Sequence, residues 1–530
     1  MTHFDIIIKG GYIIDGTGAP PFRSDIGIIN DTIWKLGDLS GHNAEIIINA
    51  RGLYITPGFI DIHNHSDMSI FSIPTADNYI MQGVTTIVVG NCGSSPAPIT
   101  DKNKEFIKEL MWGSGINDYS VKWDSFTSYL QELDKLKKSV NVAVLVGHGT
   151  LRSAVLGFDN IKPSGKELKE ISELLNESLK AGAFGMSLGL IYVPSMFANH
   201  NELTNLSKIV SKYGGILAVH MRDEGANLLD SIFEVITIAR DTGVKLEISH
   251  LKAVGKSNWG KALLALKVIE DYSSRGLDIS ADAYPYEASS TFLSAILPRW
   301  VREGGSKELV RRLKSNEVVS KLREELMKVG VMGSRRLDWD DIMISSSPKH
   351  KDVEGLRINE IALKWGLEPI DVVIKLLIED EGSTEMIAFG MNEHEVSKVI
   401  SHPLVAIGSD GLIRKFGEGR PHPRNYGTFP RVIAKYVREL KLISLSEAIR
   451  KMTSLPARKL GLWNRGIIRP GFKADIVIFN YDTIKDTSTY TSPHKYPIGI
   501  EYVIVNGVVV VDGGRHTGNM PGKLLRHLVY

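Results

Sequence analysis

Residues 54–65 read YITPGFIDIHNH, an apolar run that closes on two histidines two positions apart. Its β-branched and aromatic content predicts a strand over 54–63. In extended backbone, positions i and i+2 point to one side, so His63 and His65 can face a common partner. Seven further runs of this kind follow, at 83–92, 140–148, 182–190, 215–220, 245–250, 277–284 and 403–410. Amphipathic stretches such as KELKEISELLNESLKAG (166–182) lie between them. Strand alternating with helix is the pattern of a parallel α/β architecture, and eight β units predict a closed, TIM-like (β/α)8 barrel. The spacing is regular up to 284 and then breaks. The residues at about 286–402, with SKELVRRLKSNEVVSKLREELMKVG at 306–330 among them, are too long for a structureless loop. They predict a helical insertion before the eighth strand, at the active-site end of the barrel.

Outside this frame the pattern changes to short strands and tight turns. Turns are expected at Gly10-Gly11, Asn30-Asp31 and Asn506-Gly507, the last being the strongest hairpin signal in the chain. Neither terminal segment can form a stable sheet alone, so 1–53 and 466–530 are expected to pair into one small discontinuous β-sandwich, with 54–465 as the catalytic barrel. Ser444 followed by Glu447 has capping-box spacing and predicts a last helix before that β unit.

Composition excludes several classes. One Cys in 530 residues cannot make an internal disulfide, and 63 Lys+Arg against 61 Asp+Glu leave a net charge of +2, no footprint for nucleic acid or an anionic membrane surface. No basic leader precedes an apolar run at the amino terminus, and no stretch approaches the ~18 apolar residues of a membrane span, so a cytoplasmic location is expected. The partner expected is a small molecule; composition says nothing of oligomeric state.

The chemistry sits at the strand ends. The first ends at His63 and His65, the second at Cys92, the fifth at His220, the sixth at His250 and the eighth at Asp410. In a barrel these ends converge on one face. Each has a plainer reading: a strand cysteine is usually a buried hydrophobe, an isolated histidine usually a surface or hydrogen-bonded residue, and an Asp in GSDG can be a turn residue. Their coincidence on five strands is what argues for a metal site, and borderline nitrogen and sulfur donors suit zinc. His148 and the run Arg222-Asp223-Glu224 are secondary candidates, for orienting the site or for local loop contacts.

The segment PGFIDIHNH, with His220, His250 and Asp410 at later strand ends and an ADIVIF strand after RPGFK, resembles the amidohydrolase superfamily of metal-dependent barrel hydrolases. GVTTIVVGNCG, GHGTLR, AGAFGMSLGLIY, VHMRDEG, ISHLKAVG, DAYPYEASST, IGSDG and PHPRNYGTFPR narrow the likeness to the D-aminoacylase branch, the N-acyl-D-amino-acid deacylases. Relatives outside that branch bridge two metals with a carboxylated Lys or a Glu on the fourth strand, and FGMSLGL (184–190) has neither. The resemblance puts Cys92 in that role. It implies a tight zinc at Cys92, His220 and His250, and a weaker second site at His63, His65 and Asp410 sharing the thiolate. It further implies that Lys252, Tyr284 and Arg424 contact a substrate carboxylate, with Ser290 nearby.

Amide hydrolysis at neutral pH needs an activated water, a Lewis acid and a proton donor for the leaving amine. Zinc is expected to serve the first two needs and Asp410 to act as general base and then general acid. The expected reaction is hydrolysis of an N-acyl-D-amino acid to a carboxylate and a free D-amino acid. Alternatives are a peptidase for a carboxy-terminal D-residue, a cyclic-amide hydrolase, or a barrel scaffold without catalysis.

Overall fold

The barrel begins at Gly58, four residues later than the apolar run suggests. A β-carbon at Gly58 would lie 2.1 Å from Thr85 Oγ1, so the chain passes the second strand there only without a side chain. The predicted strand over 54–63 is therefore two. Tyr54–Pro57 pairs with Ile476–Phe479 and with Tyr12–Ile13 in a sheet of terminal strands, whereas Phe59–Asp61 pairs parallel with Val84–Val89 and opens the barrel. The computed structural model describes residues 3–113 and 121–527; the first two and last three residues of the predicted terminal segments lie outside these.

The eight barrel strands are Phe59–Asp61, Val84–Val89, Asn141–Val144 continued as Val146–Gly147, Gly185–Gly189, Ile216–His220, Lys245–Ile248, Ile279–Ala283 and Val405–Ile407. Neighbours pair in parallel, as alternation with helices requires. Strands eight and one close the ring past their ends, where Asp410 N donates to His63 O and His65 N to Gly411 O, both at 2.8 Å. Closure therefore sets Asp410 beside the two histidines. Apolar strand faces and the inner stripes of the helices share one continuous core. The helix at Gly165–Ala181 starts where Ser164 Oγ accepts the Glu167 N–H, and the helix at Leu445–Met452 where Ser444 Oγ accepts that of Glu447, so both caps follow the local sequence.

The terminal strands form a β-sandwich. A four-stranded sheet from 3–49 packs its isoleucines, among them Ile6, Ile8, Ile26 and Ile28, on Ile55, Ile476 and Ile478 of a seven-stranded sheet. Asn30 and Asn506 take the left-handed backbone of the predicted hairpins, at φ 53° and 47°. Gly10-Gly11 is not a hairpin turn. His3–Lys9 pairs in the smaller sheet and Tyr12–Ile13 in the larger, so these glycines carry the chain across the sandwich. The tail also leaves the sandwich: Leu525 N donates to Val142 O and Val142 N to Lys523 O, adding 523–525 to the third barrel strand.

The insertion is mixed rather than helical. Its helices surround a three-stranded antiparallel sheet of Ala288–Phe292, Glu385–Phe389 and Ile342–Ser346 with an apolar core of its own. It closes before Glu393–Ser401, whose Val396, Val399 and Ile400 join the barrel core. The local helical periodicity was legible, whereas the short strands became so only through partners up to a hundred residues away.

Candidate metal centre and active site

Three of the predicted donors leave their strands in a conformation that side-chain-bearing residues avoid. Cys92 has φ 51°, His250 φ 35° and Asp410 φ 52°. Each such residue costs ~1–3 kcal/mol, and such strain gathers where a side chain must be re-aimed for function. Here it turns all three toward one point. Cys92 Sγ lies 3.4 Å from His63 Nε2 and 3.5 Å from both His220 Nδ1 and His250 Nε2. Asp410 Oδ1 lies 3.0 Å from His65 Nε2 and 3.4 Å from His63 Nε2. Two donor groups result, His63/His65/Cys92/Asp410 and Cys92/His220/His250, each with its ligand atoms within 4.8 Å of one another.

This set fits a divalent cation. Burial disfavours a charged thiolate, yet His63 and His250 hold Cys92 well below the usual thiol range. Burial likewise opposes the charge on Asp410, and Arg424, with His250 and His65, outweighs it and keeps the carboxyl well below its usual range. A thiolate, a carboxylate and four imidazole nitrogens gathered at one barrel end are zinc-type donors.

The fourth strand explains how a cysteine comes to be shared. Gly189 packs so closely that a β-carbon there would lie 2.0 Å from Cys92 O. Ser187 Oγ donates to Gly90 O and accepts from Gly93 N at 2.9 Å, fastening the Cys92 loop over the strand. Gly189 thus makes room for the Cys92 backbone arriving from the second strand.

Two buried acids brace the centre. Asp282 accepts the His250 N–H at 2.8 Å through Oδ1 and meets His63 Nδ1 at 3.2 Å through Oδ2. Sequence reading missed it; its signal is the inward alternation of Ser280, Asp282 and Tyr284. Glu224, one of the secondary candidates, lies 3.1 Å from His250 Nδ1, 2.7 Å from Lys252 Nζ and 3.1 Å from Arg335 Nη2. Its neighbour Arg222 instead pairs with Glu234 at 2.8 Å. His148 is wholly buried between Ser195 Oγ and Glu202, at 2.6 and 3.0 Å, and serves the loop after the fourth strand rather than the centre.

A cavity of about 280 Å³ opens above the donors, walled by barrel loops and by the insertion. Lys252, Ser290 and Arg424 line it. Arg424 Nη1 meets Asp410 Oδ2 at 2.8 Å, and its guanidinium lies 4.8 Å above the Tyr284 ring, with Lys252 Nζ 5.7 Å from the same ring. Tyr284 itself does not line this cavity; it supports both cations, and among the described residues its buried hydroxyl has no hydrogen-bond partner. The Ser290 hydroxyl donates to Met386 O at 2.9 Å, within the insertion sheet. Tyr192, Arg302, Arg335 and Arg414 also line the cavity; Arg302 and Arg335 reach it only through the folded insertion, and Arg414 from the loop after the eighth strand.

The amidohydrolase family model matches residues 47–250 and 376–511, leaving out most of the insertion. The chain belongs to the amidohydrolase family. A D-aminoacylase of Alcaligenes xylosoxydans xylosoxydans is 35% identical over 98% of this chain and 97% of its own. The structure of an N-acyl-D-glutamate deacylase from Bordetella bronchiseptica, complexed with zinc and a phosphonate that mimics the tetrahedral intermediate, is 32% identical, with a TM-score of 0.84 over 99% of this chain and all of that one. A D-aminoacylase structure characterised for a binuclear metal centre, with one-metal activation and second-metal attenuation, is 33% identical with a TM-score of 0.83, over 99% of this chain and all of its own. Within the amidohydrolases the chain lies in the D-aminoacylase branch, metal-dependent hydrolases of C–N amide bonds. Among the described residues no helix is long and apolar enough to cross a membrane.

Proposed function

We propose that this amidohydrolase is a zinc-dependent N-acyl-D-amino-acid deacylase, releasing a carboxylate and a free D-amino acid. The observation that carries the reading is one thiolate shared by two donor groups, on the floor of a cavity that also holds Lys252 and Arg424. Cys92, His220 and His250 would hold the tighter ion; His63, His65 and Asp410 would hold a weaker one beside it. When bound, zinc would supply a Lewis acid for the scissile carbonyl and lower the pKa of water to ~7.

The chain's own groups do the rest. Asp410, kept ionised by Arg424, takes a proton from the attacking water and returns it to the leaving nitrogen. Asp282 and Glu224 fix the rings of His63 and His250 from behind. Among the described residues Arg424 Nε has no partner, and Nη2 donates one hydrogen bond, at 3.3 Å, to Ser290 O, so part of its fork remains to meet the substrate carboxylate. Lys252 adds a point charge, and Tyr284 holds both cations in place. A thiol used as a ligand also favours a reducing, cytoplasmic location. Peptides ending in a D-residue form a second reading, favoured by a groove of about 760 Å³ that shares Glu381, Ser383, Glu385 and Arg414 with the cavity and gives room for a longer acyl chain.

The test is a matched panel of N-acetyl-D- and N-acetyl-L-amino acids assayed with added zinc. Hydrolysis of the D series is the expected result. Preference for the L series, or no hydrolysis by a zinc-replete protein, overturns the reading.

A further inference from the structure

One carboxylate stands behind both histidines of the Cys92, His220 and His250 donor group. His220 turns Nδ1 and His250 turns Nε2 toward Cys92 Sγ, each at 3.5 Å, so their other ring nitrogens point away from the cluster. Both of those nitrogens face the buried Glu224, whose Oε1 lies 3.1 Å from His250 Nδ1 and whose Oε2 lies 3.7 Å from His220 Nε2. Among the described residues His220 Nε2 has no hydrogen-bond partner, and this carboxylate is the acceptor in reach. A ligand histidine that gives its outer N–H to a carboxylate is fixed in tautomer and ring angle and becomes the better donor. Glu224 in turn needs cations, because a buried carboxylate without them is costly. It has one for each oxygen. Lys252 Nζ, 2.7 Å from Oε1, holds the oxygen behind His250, and Arg335 Nη2, 3.1 Å from Oε2, holds the oxygen behind His220.

The two cations come from different parts of the chain. Lys252 follows His250 by two residues, whereas Arg335 belongs to the insertion, 111 residues from Glu224. The loops that leave His220 and His250 are shaped to receive its segment. A β-carbon at Gly225 would lie 2.8 Å from Ser334 O, and one at Gly255 1.6 Å from Arg335 O, so each loop yields a glycine to the insertion backbone. Ser334 Oγ donates to Asp223 Oδ2 at 2.7 Å, and Asn258 Nδ2 to Ser334 O at 2.9 Å. Met332 and Arg336, on either side, hold left-handed backbone at φ 60° and 48°, strain of the kind that gathers where a side chain must be aimed.

We propose that Arg335 is a positioning residue of the metal centre: by anchoring Glu224 it sets the zinc affinity of Cys92, His220 and His250, and it links the docking of 331–337 to occupancy of that site. This rests on the metal-site assignment made with the deacylase reading and gives the insertion a task in holding the metal. Linkage is reciprocal, so zinc at the site also holds the segment in place.

Zinc affinity, read by competition with nitrilotriacetate, is expected to fall about 10-fold or more in Arg335→Met, with Arg335→Lys recovering part of the loss. Added to Glu224→Gln, Arg335→Met is expected to cost less than about 3-fold more, since both act through one carboxylate. In the unmodified protein, stripping zinc is expected to speed amide hydrogen exchange in 331–337 at least about 10-fold, and by less in the insertion strand Glu385–Phe389. Unchanged affinity in folded Arg335→Met, or full additivity with Glu224→Gln, overturns the role. If the arginine variants fail to fold, the unmodified protein decides: exchange in 331–337 that ignores zinc overturns the linkage. An unmodified protein that binds no zinc overturns the metal-site assignment and the linkage with it. A zinc-replete protein that hydrolyses no N-acetyl-D-amino acid overturns the deacylase reading alone, which keeps the failures distinct.

Discussion

The two ends of the barrel bury charged groups in opposite ways. At the amino end, Lys451 Nζ donates to the His402 carbonyl and Lys459 Nζ reaches Asp278 at 2.7 Å, so each amine is met by a neighbouring loop. At the carboxyl end, His63, His65, Cys92, His220, His250 and Asp410 turn their donor atoms toward one another, three of them with strained backbone. Groups that close on local partners leave no donor for a ligand. Donors that face a common point at a cost in strain are arranged for a ligand, and in barrels this difference follows the division between the stabilising and the catalytic face.

The strongest way to break the comparison is at the shared donor. Cys92→Ala is expected to lose zinc and to lower kcat by about 10⁴-fold or more, read by metal analysis and steady-state kinetics. A zinc-replete, active variant would return Cys92 to the role of an inert core thiol. Asp410→Asn should keep most of the zinc held by Cys92, His220 and His250 while kcat falls by about 10³-fold. Near-normal turnover would remove Asp410 from proton transfer. Gly189→Ala tests the steric exchange between the second and fourth strands: its β-carbon displaces Cys92, and zinc affinity and kcat are each expected to fall ~10–100-fold. Arg424→Ala should mainly raise KM, by about 10-fold or more on N-acetyl amino acids, and an unchanged kcat/KM would take it out of the substrate contact.

The smallest effect belongs to the amino end and should leave catalysis alone. Burial lowers the Lys451 amine from its usual 10.5 to about 7. Between these values the unfolded chain binds a proton that the fold does not, so this group's contribution to stability rises with pH from about 7 to 10.5, and below 7 its burden on the fold is complete. Lys451→Met removes the burden. The Tm change it causes should be more favourable at pH 6 than at pH 10 by at least about 2 °C, with unaltered kcat/KM. Equal Tm changes at the two pH values would show that the amine ionises freely in the fold.

Much of this was legible locally. Strand periodicity marked the eight barrel strands because a parallel barrel strand is apolar on both faces, and the helix caps and Asn hairpins follow from chemistry within three or four residues. The six donors were legible because each ends a strand. The split at Gly58 was not, since what it avoids is Thr85, and neither were the insertion sheet or the course of the tail, whose partners are distant in sequence. Asp282 and Arg302 were hidden for the same reason: each looks like an ordinary polar residue until closure places one behind His63 and the other in the cavity wall.

By itself, then, the sequence determined which residues can ligate a metal and that they share one end of a barrel, because alternation and strand ends are written in nearest-neighbour chemistry. The tertiary structure decided how those residues meet. Left-handed backbone at Cys92, His250 and Asp410 aims the donors, Gly189 makes room for the Cys92 backbone, and the folded insertion brings Arg302 and Arg335 to the cavity wall. Each of these depends on groups that only ring closure and the docking of the insertion bring within a few ångströms of one another.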